Sequence, residues 1–508
     1  MGVTEAHYST TAPAEVLAET PKAAEDEKRP ESVRTAVASE LDIEVGKNTR
    51  ATSIWVVVGS ALANFSDGYQ NQLVNIMTCP VRSEPQANLD QSSSTNVVFK
   101  HLESDYYTSS VQTRISNALL VGAVIGILMF GFTSDRWSRK GGMFITSGMV
   151  TIGSLMATLV FQVNGTSQML WYLTIARGLS GVGVGGEYPA SAAAAIEGSN
   201  EHFDTYRGPV IVFISTLMAT SAAVVVNFIY VMSLLGSNNN LIISYHAINA
   251  ISIFIPLLVL LLRLKMRDGL LFRRSNFKHN TIPFPLILRR YWLRILGTSS
   301  AFFLYDFINF PNSIMSSAII NQMVPTHNVL TVGIWQLILA AIVVPGPLVG
   351  MYLCNRIGRR WTGIVGWTGY IVLGFIIGGC YSHLTTASNI PAFVVLYGLL
   401  QCMGHMGPGA TIGLMSVESY PTAVRGMGYG ISAAFGKAGA AIGTQVFTPI
   451  RDAAGPSSTF YVAGGVAVVG CAVYWFLPEG RDLDLEREDE EFEMYLRENG
   501  YQGAMKAE

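Results

Sequence analysis

The chain has 508 residues, of which 50% are hydrophobic and only 13% charged, with 33 Lys+Arg against 35 Asp+Glu for a net charge of −2. Soluble globular domains carry about 25% charged residues; that deficit, with a mean hydropathy of +0.36, excludes an ordinary soluble enzyme and points to many membrane spans. The balanced charge excludes a nucleic-acid binder, and five scattered cysteines without metal-ligand spacing exclude a zinc centre.

Residues 1–50 are polar and charged and predict a disordered cytosolic tail without a signal peptide, so the first span acts as its own insertion signal. A helix needs about 20 apolar residues to cross a bilayer. Twelve stretches qualify: 52–77, 108–132, 142–163, 168–194, 209–234, 241–263, 294–322, 329–353, 361–381, 391–416, 427–449 and 459–477. An all-α membrane protein is expected, because helices satisfy their own backbone in lipid. The stretch 263–294 holds nine basic residues, beginning with Arg263, whereas the opposite loops carry only Arg82, Lys100 and Arg451. The positive-inside rule then puts both termini in the cytosol. The expected parts are an N-terminal six-helix bundle (51–263), a basic cytosolic linker (264–293), a C-terminal six-helix bundle (294–478) and an acidic cytosolic tail (479–508). Residues 78–107 form a long outer loop without an assigned role.

The two halves echo each other. Gly131-Phe-Thr-Ser-Asp135-Arg136-Trp-Ser-Arg139-Lys140 follows the second span, and Gly350-Met-Tyr-Leu-Cys-Asn355-Arg356-Ile-Gly-Arg359-Arg360 follows the eighth. Glu187-Tyr188-Pro189 in the fourth span is answered by Glu418-Ser-Tyr420-Pro421 and Arg425 after the tenth. Such repeats mark alternating-access transporters, whose site lies near the midplane between the halves.

Charges inside the spans narrow the site. Arg177 and Glu187 sit in a glycine-rich fourth span; each charge at that depth costs about 2.5–3.5 kcal/mol on insertion scales, so the segment is expected to face a polar cavity. Lys437 lies in the eleventh span beside Gly436 and Gly439. Its partner is either an anionic phosphate or a fixed acid, Asp306 or Glu187. Asp306 lies among aromatics in Phe302-Phe-Leu-Tyr-Asp306-Phe-Ile-Asn309-Phe; losing hydration there disfavours its charged form, so it is expected to take and release a proton. Asp67 and Arg177 are expected to face each other, either as a movable pair or as a permanent bridge. Tyr188 is a candidate phosphate donor, and Gln70 and Asn309 are candidate readers of hydroxyl groups or plain packing residues. His405 is read as a helix–helix hydrogen bond rather than a proton carrier. The glycine run 181–186 resembles a dinucleotide fingerprint but lies inside a span, which removes that reading.

Asp135-Arg136-x-x-Arg139-Lys140 resembles the loop signature of the major facilitator superfamily, with Asn355 replacing the acid in the second half. Gly-Gly-Glu187-Tyr188-Pro189 and Tyr420-Pro421-Thr-Ala-Val-Arg425-Gly426 resemble the phosphate:proton symporter family within it, and Phe65-Ser66-Asp67-Gly68-Tyr69 is most similar to the fungal glycerophosphodiester (glycerophosphoinositol) permeases. The resemblance covers about residues 50–480. It implies twelve transmembrane helices in two pseudo-symmetric six-helix bundles, and a proton-coupled importer of glycerophosphodiesters in the plasma membrane. It also implies substrate contact at Lys437 and Asp306, and a proton route through Asp67, Arg177, Glu187 and Asp306. Asp135, Arg136, Arg139, Lys140, Glu418 and Arg425 are read as the cytosolic gate.

The expected partners are a small anionic phosphate-containing substrate, protons and the bilayer, with no cofactor or metal and a monomeric transport unit. Two departures separate the chain from inorganic phosphate symporters. Gln70 stands where a second acid is usual, and Gly409 replaces the phosphate-binding Asn of the tenth span. That glycine is expected to leave room for a larger ester. An inorganic phosphate symporter is the alternative, and a non-transporting nutrient receptor a second one.

Overall fold

The computed structural model describes residues 57–73, 109–134, 139–200, 207–265, 284–324, 329–480 and 485–501. The expected tail 1–50, the loop 78–107, and Asp135 and Arg136 of the first gate motif lie outside the described residues. So do the side chains of Arg139 and Lys140.

Among the described residues the secondary structure is helical throughout. The first half comprises α1 (57–73), α2 (Ser109–Ser134), α3 (Arg139–Thr158), α4 (Thr166–Asn200), α5 (207–236) and α6 (Leu241–Lys265). The second comprises α7 (Phe284–Met323), α8 (329–356), α9 (Arg359–Gly379), α10 (390–418), α11 (Arg425–Ala454) and α12 (Ser457–Phe476). A thirteenth helix, α13 (Leu485–Glu498), follows. Eight helices (α2, α3, α5, α6, α8, α9, α10 and α12) are long and apolar enough to cross a membrane. Helices α4, α7 and α11 miss that criterion; they carry the buried charges Arg177, Glu187, Asp306 and Lys437 and are rich in Gly, Ser or Asn.

The packing repeats between the halves. α4 packs on α2 and α3, and α3 on α6; likewise α10 packs on α8 and α9, and α9 on α12. The halves meet along α2–α11 and α5–α8. Three helices are interrupted where they approach the centre. α5 widens into a π turn at Phe213–Leu217, a distortion that often marks functional sites. α8 restarts at Pro345, and α10 breaks at Gly407 before Pro408, because proline cannot supply the missing backbone donor. The halves touch on both sides of the centre. At the end carrying the 356–360 and 420–425 turns, here the basic-loop end, Ile211 and Val212 of α5 bury with Cys354, Leu414 and Val417. Toward the other end, the Thr444 hydroxyl donates to Asn117 Oδ1 at 3.0 Å.

Three boundaries differ from the sequence reading. α7 begins at Phe284, so the last ten residues of the expected linker are helical. Arg263, expected as a loop charge, lies within α6 and is fully buried. The acidic segment after α12 forms α13, which lays Phe492 and Leu496 against Ile287, Tyr291, Tyr420, Val424 and Met427. Its acids face bases and backbone donors of the basic-loop end. Glu488 accepts both Arg294 Nη atoms at 3.1 Å, and Asp489 takes the Thr422 amide and hydroxyl at 2.6 Å each.

Candidate functional site

A cavity of about 240 Å³ lies between the halves. Among the described residues that line it, Lys437 is the one cation and Asp306 the one anion. Helices α7 and α11 hold them together by close approach: a Cβ at Gly436 would stand 3.1 Å from Asp306 Oδ2, and one at Gly439 2.5 Å from the Phe303 carbonyl. Lys437 Nζ therefore reaches Asp306 Oδ2 at 3.1 Å, with both side chains 9% exposed. The ammonium also lies 4.4 Å from the Phe310 ring centre and 5.2 Å from that of Tyr188 in the opposite half. Cation–π attraction of this kind contributes about 2 kcal/mol when desolvated. Of the partners weighed for Lys437, the acid Asp306 is in contact with it.

Tyr188 and Asn309 line the cavity with this pair. Gln70 does not. Its amide donates to Ser154 Oγ at 2.5 Å and to the Ser252 carbonyl at 3.5 Å, and the side chain is 2% exposed. It ties α1 to α3 and α6, so the packing alternative describes it. His405 lines the cavity, but its Nδ1 pairs with the Gln401 carbonyl of its own helix at 2.9 Å rather than bridging helices.

The acids of the first half are arranged differently from the expectation. Asp67 and Arg177 are buried, yet Asp67 Oδ1 has no hydrogen-bond partner and Arg177 donates to the Gln70 carbonyl at 3.3 Å. The permanent Asp67–Arg177 bridge is not formed. Glu187 has a partner that the sequence reading missed: Arg263 grips it through both Nη atoms, at 2.8 and 2.7 Å. Arg263 also donates to Ser147 Oγ and the Met143 carbonyl, and Ser147 donates to Glu187 at 2.8 Å. The signal that could have found Arg263 was its place at the end of an unbroken apolar run, two residues before Lys265 ends the helix.

Gly409 is the sharpest correction. A Cβ there would stand 2.6 Å from the Tyr305 hydroxyl and 3.1 Å from the Gly404 carbonyl. The missing side chain leaves no vacant room; Tyr305 fills it. Across the halves, the Thr216 hydroxyl from the π turn donates to the Gly409 carbonyl at 2.7 Å.

At the basic-loop end, Glu418 is buried against Arg359, with contacts of 2.9 and 3.2 Å. Glu479 caps the start of α9 through the Arg359 and Arg360 amides at 2.8 and 3.1 Å. Arg425 is fully buried and donates to the Tyr420 carbonyl at 3.3 Å. Arg359 thus pairs with Glu418 in the interior, a residue the sequence reading treated as a loop charge.

Comparison with known proteins agrees with this architecture. The chain is similar to the proton:xylose symporter XylE of E. coli at a TM-score of 0.67 and 16% identity, covering 87% of this chain and 99% of that one, which supports the fold alone. It is 54% identical to the MFS-type transporter lnaF of Aspergillus flavus over 89% of this chain and 88% of that protein. It is 35% identical to the glycerophosphoinositol transporter 1 of Saccharomyces cerevisiae, over 91% of this chain and 86% of that one. It is 36% identical to the glycerophosphoinositol permease 1 of Candida albicans, over 88% and 83%. The profile of the family described as "Sugar (and other) transporter" matches residues 52–280 and 295–492. With that match over most of its length and a cavity between two six-helix halves, the chain belongs to the sugar (and other) transporter family of the major facilitator superfamily, a multi-pass membrane transporter and not an enzyme.

Proposed function

We propose that this protein imports glycerophosphodiesters, glycerophosphoinositol among them, together with protons across the plasma membrane, with both termini cytosolic. The observation that carries the reading is the Lys437 ammonium, the one cation among the described residues lining the cavity, held by Asp306. A phosphodiester carries one negative charge and matches one ammonium. The names of the yeast and Candida relatives point to the same substrate class.

Substrate and Asp306 compete for Lys437. When the phosphodiester takes the ammonium, the Asp306 carboxylate is left buried without its cation, and binding a proton removes that cost. Exchange of partners therefore loads one proton with one anion. Asp67, buried with an unpartnered Oδ1 beside Gly68 of the cavity wall, is the second proton site. Arg177 and the Glu187–Arg263 pair complete the proposed route. Moving an anion inward against the membrane potential costs about 2.3 kcal/mol per charge per 100 mV, so a second proton is needed for accumulation driven by that potential. Tyr188 and Asn309 are the proposed neutral contacts to substrate. Arg359, Glu418 and Arg425, with Asp135, Arg136, Arg139 and Lys140, form the proposed cytosolic gate.

The test is uptake of labelled glycerophosphoinositol and of labelled phosphate in transporter-deficient cells, with and without a protonophore, for wild type and Lys437→Ala at matched membrane abundance. Protonophore-sensitive ester uptake that vanishes in the variant is expected. Phosphate as the better substrate overturns the ester reading.

A further inference from the structure

Three polar groups in the cavity wall have donors the protein does not fully meet. The Gln336 Nε2 of α8 and the Tyr305 hydroxyl of α7 are buried without a hydrogen bond, and the Gln401 Nε2 of α10 lies beside the Tyr397 hydroxyl without a bond of good geometry. Their residues are 9%, 7% and 6% exposed, and all three line the cavity that holds Lys437. Leaving such a group unpaired costs about 1–3 kcal/mol each, and three helices converging on one space is not an accident of packing at a single site. Gln336 is held in place, since its Oε1 accepts the Ser316 hydroxyl at 3.4 Å and its amide donors are left over. Tyr305 is fixed by its ring against Trp367 and His405 and by the absence of a side chain at Gly409.

Gln336 lies to one side of the ion pair, whereas Tyr305 is the residue next to Asp306 on α7. Ser316 is ten residues beyond Asp306 on α7, about 15 Å at 1.5 Å per residue, and Gln336 meets the chain at that level. An extended phosphodiester held at Lys437 reaches further along that gap toward Gln336. A free phosphate ion at Lys437 cannot span it and would leave the amides unsatisfied. At that end of the cavity the unpartnered groups are uncharged donors; Asp306, the only lining carboxylate among the described residues, is held by Lys437. Hydroxyl groups can accept from those donors, whereas a quaternary ammonium cannot.

We propose that Gln336, Gln401 and Tyr305 form a head-group subsite that selects a hydroxyl-rich substituent, a cyclitol or polyol, over choline, while Lys437 holds the phosphate. The inference rests on the phosphodiester reading given above. It makes these three residues determinants of specificity rather than of coupling.

The experiment measures inhibition of labelled glycerophosphoinositol uptake by unlabelled glycerophosphoinositol, glycerophosphoglycerol and glycerophosphocholine. In wild type both hydroxyl-rich esters are expected to inhibit at least about ten-fold more strongly than the choline ester, since two or more hydrogen bonds of about 0.5–1.5 kcal/mol separate them. Gln336→Leu and Gln401→Leu are each expected to shrink that preference about 3–10-fold by weakening the hydroxyl-rich esters, with the choline ester changed less than about two-fold, which also reports a folded carrier. Variants that transport with the preference intact overturn the subsite and leave the functional reading standing. Should a variant fail to reach the membrane, the wild-type order decides, and choline ester inhibiting as well as the others overturns the subsite. A wild type that carries no phosphodiester overturns the functional reading and the subsite's occupant together.

Discussion

Replacing Arg263 with methionine separates a structural ion pair from a coupling one. The guanidinium is 0% and the Glu187 side chain 3% exposed, and two contacts of 2.7–2.8 Å join them. Removing one partner of a buried pair costs about 3–5 kcal/mol, whereas replacing both by apolar groups of similar volume is often neutral. In Arg263→Met the Glu187 carboxylate keeps only the Ser147 hydroxyl at 2.8 Å and Thr146 at 3.4 Å. Those two hydroxyls do not neutralise a charge. For a chain of this size the unfolding entropy scales to about 1 °C per kcal/mol, so the single variant is expected to unfold about 3–5 °C lower in detergent. Arg263→Met/Glu187→Met should recover most of that loss. Thermal unfolding followed by size-exclusion chromatography measures both. If Glu187 carries a coupled proton, the stable double variant retains downhill ester exchange and loses protonophore-sensitive accumulation. A single variant as stable as wild type, or a double variant as damaged as the single, refutes the argument.

Gly409→Asn restores the residue usual in phosphate symporters but drives a Cβ to 2.6 Å from the Tyr305 hydroxyl. Overpacking of this kind costs about 1–3 kcal/mol; ester uptake should fall, and adding Tyr305→Ala should restore folding and raise the phosphate-to-ester uptake ratio. A well-folded Gly409→Asn single variant with normal ester uptake would show that Tyr305 does not occupy that space. Phe492→Ala removes a side chain 1% exposed, a loss of about 3 kcal/mol, and is expected to undock α13. Limited proteolysis should then cleave the C-terminal segment faster than in wild type, and an unchanged cleavage rate counts against the docking.

Hydropathy carries most of the helix pattern, because lipid forces each span into a long apolar run. The same signal misleads at the ends of spans. Arg263 looks like the first charge of a basic loop, and only the partner 76 residues earlier in the chain, Glu187, makes it an interior residue. Segment 485–498 is dense in acid and reads as a solvated tail, yet Phe492 and Leu496 stand four residues apart on one helical face, the spacing of a docking stripe. Gln70 and Asn309 have equally polar side chains on cavity-forming helices, and their sequence context does not tell which way each points. Gly409 shows the limit most clearly. The absence of a side chain is visible in the sequence, but whether the space is empty depends on Tyr305, which is more than a hundred residues away.

The interior charges then fall into two kinds. Arg263 holds Glu187 through both Nη atoms and both groups lie outside the cavity lining, whereas Lys437 holds Asp306 through one contact at the cavity wall. A pair gripped by two Nη contacts and a bridging hydroxyl resists exchange; a single ammonium contact flanked by two aromatic rings can be shared with an arriving anion. The proposed coupling therefore belongs first to Asp306 and Lys437, where a bound substrate would change which acid is paired. Asp67, buried without a bond to Oδ1, is the proposed place for a further proton. The order has a physical consequence. Neutralising Asp306 by Asp306→Asn should free Lys437 for substrate and tighten ester binding while abolishing its proton dependence. Neutralising Asp67 by Asp67→Asn should leave binding nearly unchanged and reduce only accumulation.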